Sequence, residues 1–152
     1  MTALLAEDND RVALLAERIL RPICDQIIKI NSYQGIFNAV LKMDRLEIAA
    51  LDVFLTDGEM PECLEAIKYI RAKYPGCVIM VWSGHVHNVE EQLIAAGADG
   101  FIPKGANFSV DDVYNLLLEA FNKRSDDRRN PRQNLDQNLQ AMEKVLQLKN
   151  QK

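Results

Sequence analysis

The sequence Ala50-Leu-Asp-Val-Phe-Leu-Thr-Asp-Gly-Glu-Met-Pro61 lies in the first half of the chain and decides how the rest is interpreted. Its apolar, partly β-branched run ends at Asp57, after which Gly58 and Pro61 indicate a loop. This pattern predicts a buried strand over residues 50–56 that delivers the Asp57 carboxylate to its C-terminal edge. In open α/β sheets, ligands bind at that edge.

Apolar runs of strand length alternate with helical periodicity along residues 3–123. Strands are predicted over residues 3–6, 26–31, 50–56, 77–82 and 100–103, and helices over 10–21, 35–43, 62–73, 88–97 and from 109 onward. Five strands that alternate with five helices predict an α/β domain. In such a domain, right-handed crossovers build a parallel sheet that helices cover on both faces.

The composition predicts one domain with one core, since the 152 residues are 48% hydrophobic and 26% charged. No apolar run approaches membrane-spanning length, and the N-terminal sequence lacks the basic region and cleavage site of a signal peptide. We therefore expect a cytoplasmic protein with no membrane contact. Cys24, Cys63 and Cys77 have no metal-ligand spacing and are interpreted as reduced, mostly buried thiols.

The net charge of −4 is distributed unevenly along the chain. Residues 1–123 carry 11 Lys and Arg against 18 Asp and Glu, whereas residues 124–152 carry 7 against 4. An acidic body argues against direct nucleic-acid binding, and the small positive excess of the tail does not argue for it.

Polar or charged side chains stand where four of the predicted strands end: Glu7 with Asp8, Asp57, Ser83 and Lys104. Because the carboxyl ends of parallel strands meet at one edge of the sheet, we expect these side chains to converge. Adjacent carboxylates are hard oxygen ligands for a divalent cation, and an ammonium group neutralises phosphoryl charge. Each residue alone is more typical of a helix cap or a solvated loop; the set in this order is a strong signal of a shared functional site.

Together with the Asp57-x-x-Met60-Pro61 pattern, this set resembles the receiver domains of two-component response regulators over residues 3–123. The resemblance implies a doubly wound, flavodoxin-like sheet of five parallel strands in the order 2-1-3-4-5. It also implies that Asp57 accepts a phosphoryl group.

The resemblance implies roles for the other residues of the set as well. Mg²⁺ is the expected cofactor, with ligands from Glu7, Asp8, Asp57 and the backbone carbonyl group of Glu59. Ser83 and Lys104 are expected to contact the phosphoryl group, and Ser83 and Phe101 to act as the conformational switch.

A receiver of this kind would take the phosphoryl group from a histidine kinase or a phosphotransfer protein and change its contacts with a downstream protein target. It would be a signalling protein that promotes only its own phosphorylation and dephosphorylation, not an enzyme acting on a separate substrate. Two alternatives stay open. The first is a degenerate receiver acting as a phosphorylation-independent interaction module, because only Glu62 and Cys63 follow Pro61 where the family commonly has a longer turn. The second is a Mg²⁺-dependent phosphohydrolase, although Asp57-Gly-Glu59 replaces the Asp-x-Asp pattern common in those enzymes.

Residues 124–152 predict a polar linker followed by a short C-terminal helix. Leucine and methionine side chains recur there at heptad spacing: Leu135, Leu139, Met142 and Leu146. This helix is a candidate for homodimerisation, for docking on the body, or for fraying in solution. No output-domain signature follows, so the chain is either a stand-alone receiver or a piece whose output domain lies beyond Lys152.

Overall fold

The computed structural model describes residues 1–83, 89–104 and 109–126. Five strands alternate with five helices along these residues: β1 (Thr2–Ala6), α1 (Asp10–Leu20), β2 (Gln26–Ile30), α2 (Tyr33–Lys42), β3 (Ile48–Asp52), α3 (Met60–Lys73), β4 (Val78–Ser83), α4 (Glu90–Ala96), β5 (Gly100–Pro103) and α5 (Val110–Asp126). The predicted α/β alternation is confirmed.

All five strands belong to one parallel sheet with the order β2-β1-β3-β4-β5. This is the doubly wound arrangement that the resemblance implied. β2 lies on one side of β1, and β3 is added on the other side. The loops that follow β1 and β3 therefore lie next to each other at the C-terminal edge of the sheet. The fold therefore places the ends of β1 and β3 in the crevice where such sheets bind ligands.

The sheet separates two apolar layers because successive side chains of each strand point to opposite faces. Leu51 packs with side chains of α2, α3 and α4, whereas Ala50 packs with side chains of α1 and α5. β1 and β3 are buried along their whole length, as expected for the central strands of a sheet covered on both faces.

The predicted bounds of the third strand are wrong. β3 is Ile48–Asp52 and not residues 50–56, and its last residue, Asp52, pairs with Trp82 of β4. The apolar pattern continues beyond the strand because Val53 and Leu55 are buried in the core from within the following loop. Strand length here depends on the neighbouring strands, so local hydrophobicity does not mark where pairing ends.

The third helix also begins earlier than predicted, at Met60 instead of residue 62. Pro61 lies in its first turn, where a missing N–H is tolerated. Glu62 and Cys63 are therefore helical residues, and the segment between β3 and α3 is residues 53–59. The apparent shortening of the loop after Pro61 came from placing the strand end at the wrong aspartate.

Other helix ends follow local sequence signals. The N-cap of α1 is Asn9, whose side chain accepts from the N–H groups of Arg11 and Val12, and α2 begins at Tyr33 after the N-cap Ser32. Gly97 ends α4 with a φ of 124°, a conformation that favours glycine.

Towards its C-terminus, α5 continues to Asp126, three residues past the boundary predicted at 123. The predicted heptad helix lies outside the described residues. Within the part of the chain that the structure describes, no helix has both the length and the apolar character needed to cross a bilayer.

Candidate functional site

Three strand ends bring charged side chains together at the C-terminal edge of the sheet. Glu7 and Asp8 follow β1, Asp52 ends β3, and Lys104 follows β5. Glu7, Asp8 and Asp52 each offer a carboxylate oxygen, and these oxygens lie within 4.8 Å of one another. Glu7 and Asp52 are buried, whereas Asp8 is exposed, so the cluster opens to solvent on the Asp8 side.

Lys104 neutralises part of this charge. Its Nζ lies 2.7 Å from Glu7 Oε2 and 2.8 Å from Asp52 Oδ2. Burial alone would lower the pKa of Lys104, but its hydrogen bonds with Asp52 and Glu7 outweigh burial and raise that pKa. Burial raises the pKa of Glu7 despite its contact with Lys104. The lysine stays protonated and contacts both buried carboxylates.

Both carboxylate oxygens of Asp52 have a partner. Oδ2 accepts from Lys104 Nζ, and Oδ1 accepts from the backbone N–H of Phe54 at 3.3 Å. Glu7 is fixed in a similar way, because its Oε1 accepts from the backbone N–H of Asn9 at 3.0 Å. The two buried carboxylates therefore have defined orientations.

The structure does not place Asp57 in this cluster. Asp57 lies in the loop between β3 and α3, where Oδ1 accepts from the N–H of Tyr33 at 2.7 Å and Oδ2 from the N–H of Gln34 at 3.0 Å. These N–H groups belong to the first turn of α2, which lacks internal acceptors for them. The bonds from Gln34 and Tyr33 lower the pKa of Asp57. Asp57 thus stabilises the start of a neighbouring helix, and its expected place at the end of β3 is wrong.

Glu59 is likewise not placed as expected. It is the N-cap of α3, its carbonyl oxygen accepts from the N–H of Cys63 at 3.1 Å, and its own N–H donates to Glu62 Oε2 at 2.9 Å. That carbonyl group accepts the first hydrogen bond of the helix. The expected contribution of the Glu59 carbonyl group to a metal site depended on Asp57 as the phosphoacceptor, and Asp57 is bonded to α2 in this structure.

Ser83 and Phe101 lie on the neighbouring strands β4 and β5. Ser83 ends β4 opposite Pro103, one residue beyond the pairing of Trp82 with Asp52. Phe101 is a half-buried residue of β5, pairs with Val81, and packs against the layer of α2, α3 and α4. Ser83 therefore lies on the strand next to that of Asp52, in agreement with the strand order that the resemblance implied.

Sequence reasoning missed Asp52. The signal available for it was the run Ile48-Ala-Ala-Leu51, an apolar stretch of strand length that immediately precedes the aspartate. Glu7, Asp8 and Lys104 were placed at the sheet edge correctly because each directly follows a strand whose end was predicted within one residue.

The donor set fits a hard divalent cation. Three carboxylates and one ammonium group leave two net negative charges, and carboxylate oxygens are the ligands that Mg²⁺ prefers. Asp8, at the open side, leaves access for the water ligands that Mg²⁺ usually retains. The cluster thus satisfies the charge and donor requirements of a magnesium site.

A comparison with protein-family models matches residues 3–113 to the response regulator receiver domain. The chain belongs to this family. The match includes β1 through β5 and the start of α5, so it contains every strand that contributes to the cluster. A comparison with curated proteins found no match.

Solved structures of receiver domains share the fold of this chain. The CheY-like receiver domain protein from Methanospirillum hungatei JF-1 is 16% identical with a TM-score of 0.70, over 84% of this chain and 98% of that one. The beryllofluoride-activated NtrC4 receiver domain dimer is 20% identical with a TM-score of 0.68, over 81% and 98%.

A third similar structure contains a metal ion. The receiver domain of the sensor histidine kinase PA1611 from Pseudomonas aeruginosa PAO1 has a magnesium ion coordinated in its active site cleft. It is 18% identical with a TM-score of 0.61, over 76% of this chain and 93% of that domain. At such identities the structural likeness shows the fold alone, and the site of this receiver is argued from its own residues.

Proposed function

We propose that this receiver accepts a phosphoryl group on Asp52, in place of the Asp57 predicted from the sequence. The observation that carries the proposal is the position of Asp52 at the end of β3, 2.8 Å from Lys104 Nζ and within 4.8 Å of the carboxylates of Glu7 and Asp8. Asp57, by contrast, is engaged with two N–H groups of α2.

In the proposed reaction, a carboxylate oxygen of Asp52 attacks the phosphorus atom of a phosphorylated donor. A P–O bond forms between Asp52 and phosphorus, and the bond between phosphorus and the donor breaks. In a phosphohistidine donor, the bond that breaks is a P–N bond. The donor leaves with the bonding electron pair, and Asp52 becomes an acyl phosphate. Attack by a carboxylate on a phosphoryl group is opposed by like charge, so the positive charge of Lys104 lowers the barrier by neutralising the incoming oxygens.

The residues that would hold Mg²⁺ are Glu7, Asp8 and Asp52. When bound, the ion supplies charge neutralisation and a template for the phosphoryl oxygens. Asp8 lies at the exposed side of the cluster, while Lys104 and the N–H of Asn9 keep Glu7 in place. This assignment is supported by the donor set of this chain.

The phosphoryl donor in this proposal is a histidine kinase or a phosphotransfer protein, the partner class with which receivers interact. Ser83, at the end of β4 beside Asp52, would contact the phosphoryl group together with Lys104. Phe101 on β5 would then report the modified state to a downstream protein target. The NtrC4 receiver forms a dimer, and we propose homodimerisation of this chain, through the C-terminal helix predicted from its sequence, as a separate hypothesis.

The test is intact-mass measurement after incubation with acetyl phosphate and Mg²⁺. Three proteins are compared: wild type, Asp52→Asn and Asp57→Asn. We expect one phosphoryl adduct on the wild type and on Asp57→Asn, and none on Asp52→Asn. An adduct on Asp52→Asn but not on Asp57→Asn would restore Asp57 as the acceptor, and no adduct on any protein would favour the phosphorylation-independent interaction module.

A further inference from the structure

The hydroxyl group of Tyr33 lies next to the backbone of the proposed phosphoacceptor, Asp52. Tyr33 is the first residue of α2 and is almost fully buried. Its hydroxyl donates to the backbone carbonyl oxygen of Val53 and lies 3.3 Å from the carbonyl oxygen of Asp52. The buried Cys63 belongs to the same apolar layer as Tyr33. The phenol is therefore fixed in the core while it holds the backbone at the end of β3.

One peptide group connects this hydroxyl to the carboxylate of Asp52. The carbonyl oxygen of Val53 and the N–H of Phe54 belong to the same peptide group, which is planar and stiff. Its oxygen accepts from Tyr33, and its N–H donates to Asp52 Oδ1 at 3.3 Å. Rotation of this peptide group would change both hydrogen bonds together. Hydrogen bonds joined in series in this way also polarise one another.

The loop after Asp52 contacts Tyr33 at two further points. The Asp57 carboxylate accepts from the backbone N–H of Tyr33 at 2.7 Å. Gly58 packs so closely on the ring that a Cβ atom at this position would lie 2.7 Å from Tyr33 Cδ2. Tyr33 thus contacts the loop through its hydroxyl, its ring and its backbone N–H.

We infer that Tyr33 is a positioning residue for phosphoryl acceptance, acting on Asp52 through the Val53–Phe54 peptide group. This inference rests on the proposed function of Asp52. Lys104 holds Oδ2 of the carboxylate, and the Phe54 N–H holds Oδ1. With both oxygens held, the attacking lone pair has a fixed direction. Without the Tyr33 hydroxyl, the peptide group and the carboxylate can rotate away from the in-line arrangement.

The chain offers a matched control in Tyr74. Tyr74 is also buried, and its hydroxyl donates to two backbone carbonyl groups, those of Met43 at 2.5 Å and Val40 at 3.2 Å. These carbonyl groups belong to the C-terminal end of α2, whereas Tyr33 is at the opposite end. Tyr33→Phe and Tyr74→Phe therefore remove the same group from similar surroundings, but only the first change affects the peptide group next to Asp52.

The experiment compares the wild-type chain of 152 residues with Tyr33→Phe and Tyr74→Phe at a temperature where circular dichroism shows each to be folded. Initial rates of phosphorylation are measured over a range of acetyl phosphate concentrations with saturating Mg²⁺. We expect the maximal rate of Tyr33→Phe to fall about tenfold while the half-saturating acetyl phosphate concentration stays the same. Tyr74→Phe should keep the wild-type rate even where its melting temperature falls.

Gly58→Ala serves as a second variant if Tyr33→Phe does not fold. The added methyl group would lie 2.7 Å from Tyr33 Cδ2 and 2.8 Å from Glu62 Cγ, so the ring, the Glu62 side chain or the loop must shift, and we expect a fall of about threefold in the maximal rate. A maximal rate equal to that of Tyr74→Phe, in whichever variant folds, would overturn the positioning role alone. A wild type that gains no phosphoryl group, or an Asp52→Asn variant that still gains one, would overturn the proposed function together with this inference.

Discussion

The ammonium group of Lys104 lies 2.8 Å from Asp52 Oδ2, although 52 residues separate the two along the chain. The parallel sheet produces this contact, since β3 and β5 end at the same edge with only β4 between them. The lysine also contacts Glu7, and its side chain is 23% exposed against 1% for Glu7 and 6% for Asp52. The site therefore combines a fixed cation, two buried carboxylates and an exposed one.

Mg²⁺ should stabilise the folded protein. At a concentration about 100 times its Kd, a ligand that binds only the folded state adds about 2.7 kcal/mol to the free energy of unfolding. We expect urea unfolding of the wild type to show a gain of this size. Asp8→Asn should lose most of the gain because Asp8 supplies one of the three clustered carboxylates.

Unfolding measured without Mg²⁺ distinguishes a role of Asp8 as a metal ligand from a structural role of Asp8. Without Mg²⁺, Asp8→Asn should be at least as stable as the wild type, since it removes one of three like charges. Asp44→Asn, at another exposed aspartate, serves as the control and should keep the full magnesium effect. An equal gain in Asp8→Asn and Asp44→Asn would exclude Asp8 as a ligand.

Asp57 should contribute to stability in a pH-dependent way. Its N–H partners on Gln34 and Tyr33 favour the charged carboxylate, so the pKa of Asp57 is lower in the folded protein than in the unfolded chain. Its contribution is then complete above the unfolded carboxyl pKa of about 3.9 and is lost as the pH falls through the lower folded pKa.

Asp57→Ala should therefore be less stable than the wild type near neutral pH, and the difference should shrink below about pH 3.9. Urea unfolding across this pH range measures the effect, with Asp44→Ala as the control. If the difference in the free energy of unfolding between Asp57→Ala and the wild type stays constant as the carboxylates protonate, the two hydrogen bonds do not depend on the charge of Asp57.

Asp99 should be among the most costly residues to remove. Its fully buried carboxylate lies 2.9 Å from Arg71 Nη2, accepts from Arg124 Nε at 2.6 Å, and accepts from the N–H of Ile79 at 2.8 Å. Asp99→Ala leaves two largely buried guanidinium groups without this carboxylate, and we expect a loss of about 3–5 kcal/mol in the free energy of unfolding. A loss below about 1 kcal/mol, as for an exposed ion pair, would contradict this account.

The thiols of Cys63 and Cys77 should be unreactive in the folded protein. Burial raises the pKa of Cys63 to about 11, and it also raises that of Cys77, so few thiolates form at neutral pH. Alkylation by iodoacetamide, followed by mass spectrometry, should be slow until denaturant is added. Rapid labelling of either residue without denaturant would show that the core around α3 opens readily.

Most of the architecture was predictable because it depends on local patterns. The run before Glu7 and the run before Lys104 are short, apolar and bounded by charges, so their ends are visible in the sequence. Five alternating elements of each kind then leave few parallel topologies open. The end of α4 at Gly97 was predicted correctly because the positive φ there favours glycine, and a glycine is visible in the sequence.

The phosphoacceptor position was not predictable in the same way. Val53 and Leu55 are as buried as strand residues, yet they belong to a loop whose path is set by Tyr33 and the start of α2. Local hydrophobicity cannot distinguish a buried residue of a strand from a buried residue of a loop. The role of Asp57 as an acceptor for N–H groups of another element also requires knowledge of which helix start lies beside it.

The most direct test locates the phosphorylated aspartate by chemistry. Reduction of the acyl phosphate with borohydride converts the modified aspartate to homoserine, and peptide fragmentation between residues 52 and 57 then shows which one changed. The account predicts homoserine at position 52 and an intact aspartate at position 57. Homoserine at position 57 would contradict it.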